Sequence, residues 1–279
     1  MTIEIIPRSP ALGAEIRGVD LSKGVTDSEF ATIIEAWHRH QVILFRDQQL
    51  PEEQQQVAFA QRFGELAQIH VPEYSGDHPA VMYIGNLKHK GQNMGALPVG
   101  EMEFHIDQCY QERPAKGTML YAIEIPSEGG QTLFANGYKV YEALPAWVKD
   151  RIAGLKAVHV YDYGGAVTER SKMVDITDGI SCAHPIARVH PATGRKSLFV
   201  NKLMTHHIEG LELQESEKLL NVMFETISRP EFCYEHEWRV GDLLLWDNRC
   251  TLHARRDFNP AERRWLRRVT VLGEVPEQG

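Results

Sequence analysis

The sequence predicts a mainly β domain with flanking helices, and three observations support this class. Four segments of the C-terminal half alternate in polarity or are rich in β-branched and aromatic residues, and are predicted strands: 196–201, 232–239, 242–246 and 265–272. Helical spacing of apolar residues occurs in only a few places. Strands and helices do not alternate as in βαβ proteins, so a β-sandwich or barrel with flanking helices is favoured.

The N-terminal elements have clear local signals. Short strands are predicted within 3–20, around Gly13 and Gly18. Thr26 or Asp27 can cap a helix that runs to about His40, because apolar residues follow at helical spacing. The run 42–45 is a buried strand by its length and β-branching. A second helix starts at Pro51 and stops at Gly64, and a third covers 214–226.

Two irregular stretches separate these elements. Residues 67–103 are rich in glycine, proline and asparagine, and they run directly into His105. Long loops in a compact domain are usually functional, so this stretch is interpreted as an active-site lid. Residues 162–185 form a second irregular stretch, which is predicted to be another lid loop. The chain is therefore expected to be a single domain over 1–279 with lid loops at 67–103 and 162–185.

Composition excludes several classes of protein. The chain has 279 residues and a formal net charge of -8, whereas nucleic-acid binding requires a basic face. The first ten residues contain no apolar region typical of a secretory signal, and no run is long enough to span a membrane. The four cysteines show no C-x-x-C spacing, which indicates free thiols and a reducing, cytoplasmic location.

The most informative feature is His105-Ile106-Asp107, followed much later by His253 and Arg264. Two imidazoles and one carboxylate on one face of a cavity hold a non-haem Fe(II) and leave coordination positions open. Residues i and i+2 of a strand point to the same side, so His105 and Asp107 can reach one metal. His207 and Glu209 form a rival His-x-Glu pair.

The segment 263–270 alternates, which places Arg264 and Arg268 on one face. Two arginines directed into a cavity with a metal would favour dianionic ligands. The alternative is a solvated edge strand whose charges deter pairing with other chains. Thr132 follows Gly129-Gly130 and is a candidate hydroxyl donor, although a turn residue would look the same.

The chain resembles the taurine dioxygenase/2,4-dichlorophenoxyacetate dioxygenase (TauD/TfdA) family of Fe(II)- and 2-oxoglutarate-dependent oxygenases. The resemblance extends over nearly the full length, and His253 and Arg264 follow at the spacing of the family. It rests on segments 13–21, 42–48 and 62–66, and on Phe104-His105-Ile106-Asp107, Gly129-Gly130-Gln131-Thr132, His190-Pro191-Ala192-Thr193-Gly194-Arg195 and Trp246-Asp247-Asn248-Arg249.

The resemblance implies a double-stranded β-helix (jelly-roll) core, with His105, Asp107 and His253 as ligands of Fe(II). Arg264 would bind the distal carboxylate of 2-oxoglutarate, with a hydrogen bond from Thr132. Arg268 would lie near the inner carboxylate or the primary substrate. With O2, enzymes of this family convert 2-oxoglutarate to succinate and CO2 and hydroxylate a second substrate. The resemblance also suggests a homo-oligomer, either a dimer or a tetramer.

The substrate is expected to be a small organic acid of the aryl or alkyl carboxylate or aryloxyalkanoate type. The taurine enzymes have Trp-His-Thr-Asp at the metal, whereas this chain has Phe104 and Ile106 there, with acidic residues just before. A carboxylate near the pocket mouth would repel a small sulfonate, and apolar walls suit an organic acid. The candidate substrate-binding residues are His70, Tyr74, Glu101, Phe104, Tyr110, Met204 and Arg268, and His206 and His207 lie in a segment resembling one that lines the family's pocket.

Three alternatives remain open at this point. The first is a sulfonate dioxygenase of the taurine type. The second is a hydrolase or isomerase that uses the same residues to hold Zn2+ or Mn2+ as a Lewis acid, although it would have no use for Arg264. The third is a non-catalytic sensor of small molecules on the same fold, which an intact set of metal ligands disfavours.

Overall fold

The computed structural model describes residues 2–69, 71–97, 100–161 and 180–279. Within them the helices are α1 (Asp27–His40), α2 (Glu53–Gln61), α3 (Gly137–Ala143), α4 (Ala146–Ile152) and α5 (Leu213–Ile227). The strands are β1 (Glu4–Pro7), β2 (Ala14–Arg17), β3 (Val42–Phe45), β4 (Val81–Gly85), β5 (Lys88–His89), β6 (Gln92–Asn93), β7 (Met102–His105), β8 (Ala115–Glu124), β9 (Thr132–Asn136), β10 (Lys156–Val160), β11 (Ser181–Pro185), β12 (Ala187–Val189), β13 (Lys196–Leu198), β14 (Thr205–Ile208), β15 (Cys233–His236), β16 (Leu243–Asp247), β17 (Thr251–Arg255), β18 (Trp265–Leu272) and β19 (Glu277–Gln278).

Two sheets form the centre of the fold. The larger has the strand order β1-β2-β3-β16-β8-β18-β4, and the smaller has the order β15-β9-β17-β7. Apolar side chains from both sheets share one buried cluster, for example Leu120, Leu244 and Leu266 from the larger and Phe134 and Tyr234 from the smaller. The sheets therefore pack face to face as a β-sandwich. This architecture confirms the predicted mainly β class and fits the jelly-roll core that the resemblance implied.

Helices cover the outer faces of both sheets. On the larger sheet, Trp37 of α1 and Phe59 of α2 pack with Met119 and Leu245 in a second buried cluster. On the smaller sheet, α3, α4 and α5 enclose a third cluster. Alternation along each strand explains both layers, because successive side chains point to opposite faces. The inner faces are left to meet one another, and the candidate site lies between them.

Most predicted elements are confirmed, with shifts at their ends. Helix α1 begins at Asp27, and Thr26 and Glu29 form a reciprocal capping box at its N-terminus. Helix α2 begins at Glu53 rather than Pro51. The strand predicted over 265–272 has the predicted limits, and that over 196–201 ends earlier, at Leu198. Differences of this size are normal because the ends of elements are defined less sharply than their centres.

The predicted lid over 67–103 is not one continuous loop. Its centre forms β4, which pairs with β18 at an edge of the larger sheet. Val81 packs outward and Ile84 packs inward, so the strand has the usual alternation. Residues 162–179 of the second predicted lid lie outside the described residues, and its last part, Ser181–Pro185, is strand β11. Within the described parts of the chain, no helix combines the length and apolar character needed to cross a membrane.

Candidate metal and active site

Three predicted ligands meet between the sheets. His105 is the last residue of β7 and lies directly opposite His253 on β17, so their ring centroids are 3.9 Å apart. Asp107 follows β7, with Oδ1 3.9 Å from His105 Nε2 and Oδ2 3.7 Å from His253 Nε2. All three side chains are buried. One cation can lie within reach of two imidazole nitrogens and one carboxylate, and among the described residues no fourth ligand residue joins this cluster.

The protonation states suit a metal. Burial lowers the pKa of both imidazoles, and the neighbouring His105 lowers that of His253 further. Burial alone would raise the pKa of Asp107, but Arg268 and the two histidines outweigh this effect and hold it below its usual range. Neutral imidazoles and an ionised carboxylate are the forms that coordinate a cation. His105 is oriented by its Nδ1, which lies 3.0 Å from the carbonyl oxygen of Glu103.

Asp107 is held by polar groups of the larger sheet. Thr118 on β8 donates a hydrogen bond to Asp107 Oδ2 at 2.6 Å, and Arg268 Nη2 lies 2.9 Å from Oδ1. Asn248 donates through Nδ2 to the Thr118 hydroxyl at 2.9 Å. Its Oδ1 accepts from the backbone N–H of Asp107 at 3.4 Å and from Trp246 Nε1 at 3.1 Å. The carboxylate is therefore fixed in position by the fold.

A buried guanidinium lies near these ligands. Arg264 is only 1% exposed, and its Nε and Nη1 have no hydrogen-bond partner among the described residues. Its Nη2 makes a long bond of 3.4 Å to the carbonyl oxygen of Gly130. Burial, together with the charge of Arg255, lowers the pKa of Arg264 to about 9. A buried cation with unpaired donors is costly, so the arrangement suits an anionic ligand.

The Gly129-Gly130 turn and Thr132 lie beside this arginine. Gly130 has a positive φ of 69°, and a Cβ there would come within 3.1 Å of Arg264 Nε. Glycine thus permits the close approach. Thr132 begins β9, and its hydroxyl accepts a hydrogen bond from Trp238 Nε1 at 3.0 Å. The proton of the Thr132 hydroxyl is left to donate elsewhere.

The solvated edge strand considered for 263–270 is wrong. Strand β18 lies between β8 and β4, and Arg264 and Arg268 face the space between the sheets. Arg267 points to the opposite side, where it donates to Gln56 Oε1 and to the backbone oxygen of Leu50. Of the four arginines in 263–268, Arg263 is the solvated one, and it is paired with Glu124. The predicted alternation of this segment is confirmed, and it carries two of the four arginines into the site.

A cleft joins these groups. Its volume is about 50 Å³, and its lining includes His105, His253, Thr132, Arg264 and Arg268. The rest of its wall is largely apolar and comes from Ile84, Leu97, Met102, Leu120, Trp246 and Ala254. Few polar groups on an apolar wall are typical of a site for a small molecule.

Arg268 is the one candidate substrate-binding residue found lining this cleft in the described part of the chain. Phe104 and Met204 are buried in the cluster below the smaller sheet, and Tyr110 packs on Tyr161. Glu101 is exposed and lies 3.6 Å from Arg256. Tyr74 ends a short 3-10 turn and is partly exposed. His70 lies outside the described residues. The substrate roles of these side chains remain predictions.

A second group of possible ligands is structural. His190, Asp247 and Cys250 are buried close together. Both oxygens of Asp247 are already used, because Arg249 contacts each of them and His190 Nε2 lies 2.9 Å from Oδ2. Saturated acceptors of this kind stabilise the turn before β17 and leave no room for a cation. The rival pair His207 and Glu209 belongs to neither ligand cluster that the described residues form.

Several residues of the site had no predicted role. Thr118 lies inside a long strand and Trp238 follows another, and neither position differs in pattern from ordinary core. Asn248 lies in a motif that carried the resemblance, but its contact with Thr118 joins distant segments. Arg255 was also missed, although its position two residues after His253 predicts the same strand face.

Comparisons with known proteins agree with this geometry. The family model "Taurine catabolism dioxygenase TauD, TfdA family" matches residues 4–270. Pentalenolactone F synthase of Streptomyces avermitilis is 34% identical, covering 100% of this chain and 96% of the relative. (S)-phenoxypropionate/alpha-ketoglutarate-dioxygenase of Sphingobium herbicidovorans is 34% identical, with coverages of 97% and 95%. A crystal structure of a taurine dioxygenase from Burkholderia xenovorans superposes with a TM-score of 0.85 at 32% identity, with coverages of 100% and 92%.

Proposed function

Because the chain belongs to the TauD/TfdA family of dioxygenases, we propose that it is an Fe(II)- and 2-oxoglutarate-dependent enzyme that hydroxylates a small organic acid. Succinate and CO2 are its other products. The observation that carries the proposal is the buried guanidinium of Arg264, whose Nε and Nη1 have no hydrogen-bond partner in the described part of the chain and which lines the same cleft as His105 and His253. An oxygenase of this type needs a metal and a fixed cation for a dicarboxylate in one cavity.

The metal would be held by His105, Asp107 and His253. Their donor set is the one that non-haem Fe(II) enzymes use, and their donor atoms lie within 4.8 Å of one another. When bound, the iron supplies the activation of O2 and the oxidative chemistry on both substrates. The protein orients the substrates and excludes water, since the ligands are buried between two sheets.

The co-substrate would be oriented by Arg264 and Thr132. Within the described residues, Nε and Nη1 of Arg264 have no hydrogen-bond partner, so the buried guanidinium has donors left for an anionic group. Thr132 already accepts from Trp238, so its hydroxyl donates to the same anionic group. The relative from Sphingobium herbicidovorans bears alpha-ketoglutarate in its name, which supports this choice of dicarboxylate.

The second substrate would bind through Arg268. Its side chain is 18% exposed at the cleft, so the guanidinium can reach an anionic group of a ligand. Apolar residues surround it, which favours an aryl or alkyl carboxylate over a small hydrophilic sulfonate. A taurine-like sulfonate remains the second candidate, because a sulfonate carries the same charge and the superposed structure is a taurine dioxygenase.

A hydrolase or isomerase with a redox-inactive metal is the rival proposal. It would use the same three ligands as a Lewis-acid centre. Arg264 disfavours it, because neither reaction requires a buried cation beside the metal. Turnover that depends on the metal but persists without O2 and 2-oxoglutarate would support the rival.

The decisive experiment measures succinate formation from 2-oxoglutarate with Fe(II), ascorbate and O2. Aryloxyalkanoates, other small carboxylates and sulfonates are tested as second substrates. We expect stimulation by a carboxylate and its loss in His105→Ala, Asp107→Ala and His253→Ala. If taurine oxidation is tightly coupled to succinate formation, the substrate is a sulfonate rather than the proposed organic acid. Absence of succinate with every compound, including slow uncoupled turnover, would overturn the proposal.

Two further features belong to the proposal. The family resemblance supports a dimer or tetramer, which light scattering of the purified protein tests. The four cysteines are all free, which suits a reducing compartment such as the cytoplasm.

A further inference from the structure

Three hydrogen bonds lead from the protein core to the carboxylate of Asp107. Trp246 Nε1 donates to Asn248 Oδ1, Asn248 Nδ2 donates to the Thr118 hydroxyl, and that hydroxyl donates to Asp107 Oδ2. The four side chains are buried. Burial shields these groups from solvent, so each bond constrains the next.

The direction of these bonds is fixed. Asn248 Oδ1 faces two N–H donors, the indole of Trp246 and the backbone of Asp107. An amide flipped by 180° would place its NH2 against both donors, so Nδ2 must face Thr118. Thr118 has one proton, and its oxygen already accepts from Asn248. That proton therefore goes to Asp107 Oδ2.

We propose that Thr118, oriented by Asn248, is a positioning residue that holds the carboxylate of Asp107 in the orientation in which it faces His105 and His253. This inference rests on the proposed metal-dependent function. The short bond of 2.6 Å occupies Oδ2 and prevents the carboxylate plane from rotating. The other oxygen, Oδ1, lies 2.9 Å from Arg268 Nη2, so both oxygens are held and the carboxylate would meet a metal in one fixed orientation.

Asn248 acts on the same ligand twice. Besides orienting Thr118, it holds the backbone N–H of Asp107 at 3.4 Å. The next residue, Gln108, has a φ of 55° in the left-handed region, so the chain turns sharply directly after the ligand. Both the backbone and the side chain of Asp107 are therefore fixed from the larger sheet, although His105 and His253 lie on the smaller one. Groups that orient a ligand in this manner change metal affinity by about 10- to 100-fold.

The test compares Mn(II) dissociation constants by titration calorimetry for wild type, Thr118→Val and Thr118→Ser. We expect Thr118→Val to weaken binding by about 10- to 100-fold and Thr118→Ser to stay within about threefold of wild type. The 2-oxoglutarate dissociation constant at saturating Mn(II) should change little, because Thr118 does not line the cleft.

Thr251→Val is the matched control. Thr251 is buried, lies on β17 near His253, and donates its hydroxyl to the backbone oxygen of Asp247 at 2.8 Å. The variant loses a comparable buried hydrogen bond without touching Asp107, so its Mn(II) affinity should remain within about threefold of wild type. An equal loss of affinity in Thr251→Val and Thr118→Val would overturn the positioning role and indicate general destabilisation.

If Thr118→Val does not fold, Thr118→Ala and Thr118→Ser provide the same test, because they differ by a single oxygen atom. Equal Mn(II) affinity in these two variants would overturn the inference and leave the proposed function intact. If wild type binds Mn(II) no better than His105→Ala does, the metal site of the proposed function is overturned instead.

Discussion

Replacing Arg264 by methionine should raise the stability of the protein and abolish co-substrate binding. Methionine resembles arginine in length, lacks the charge and fits the apolar wall of the cleft. Because the folded pKa of Arg264 is about 9 against an ordinary value of 12.5, the buried cation is unfavourable by roughly 5 kcal/mol. Lost packing and the lost bond to Gly130 offset part of this gain. We expect the free energy of unfolding to rise by about 1–3 kcal/mol.

The pH dependence of the free energy of unfolding follows from the same pKa of Arg264. The folded pKa lies below the unfolded one, so the unfolded state binds the proton more tightly and stability increases with pH. The destabilisation by Arg264 is therefore fully present at pH 7 and is relieved only above about pH 9. Urea denaturation at pH 7 is the appropriate measurement, with the metal and co-substrate omitted.

The affinity of Arg264→Met for 2-oxoglutarate should fall, although its stability rises. Loss of a bidentate, buried charge pair costs about 2–5 kcal/mol, which is about 30-fold to several thousand-fold in the 2-oxoglutarate dissociation constant. Calorimetry on the Mn(II)-loaded protein without O2 measures this value. Arg267→Met is the control, because Arg267 lies on the same strand with its donors satisfied by Gln56 and Leu50. It should lose stability and retain affinity; a destabilised Arg264→Met with normal affinity would refute the reasoning.

Three other changes have definite expected outcomes. Trp238→Phe removes the donor to Thr132, a bond worth about 0.5–1.5 kcal/mol, so steady-state kinetics should show the 2-oxoglutarate KM about 2- to 10-fold higher with kcat nearly constant. Mn(II) at 100 times its dissociation constant should stabilise wild type by about 2.7 kcal/mol in thermal unfolding, and His253→Ala should show no such shift. Arg255→Met removes three hydrogen bonds to the backbone oxygens of Leu97 and Gly100, so amide exchange near them should accelerate, whereas Arg195→Met, which removes contacts with Glu142 and Tyr138 instead, should leave it unchanged.

The parts of the fold that local chemistry determines could be predicted from the sequence. Helix α1 follows from the capping box at Thr26 and from its apolar spacing, and both are properties of adjacent residues. Alternation on β18 placed Arg264 and Arg268 on one face, which the structure confirms. Strand β4 was not predicted, because its apolar alternation is short and lies among glycines and prolines that suggested a loop.

The contacts of the site were harder to predict than its ligands. The spacing of the candidate ligands can be read directly from the sequence. The bond from Asn248 to Thr118, in contrast, depends on how strands distant in sequence are placed. The same holds for Trp238 and Thr132, which are remote in sequence. The substrate pocket was the least predictable, because side chains such as Phe104 and Met204 can serve either as core or as pocket wall, and both are buried in the core.

The direct pairing of His105 with His253 also bears on the point in folding at which the three candidate ligands come together. These residues lie far apart in the chain, and pairing of strands so distant in sequence is slow because a long loop must close first. A nascent chain therefore holds no complete ligand set that could capture a cation. In the proposed enzyme, metal loading would therefore follow folding, and the cations available to the folded protein would decide which divalent ion it receives first.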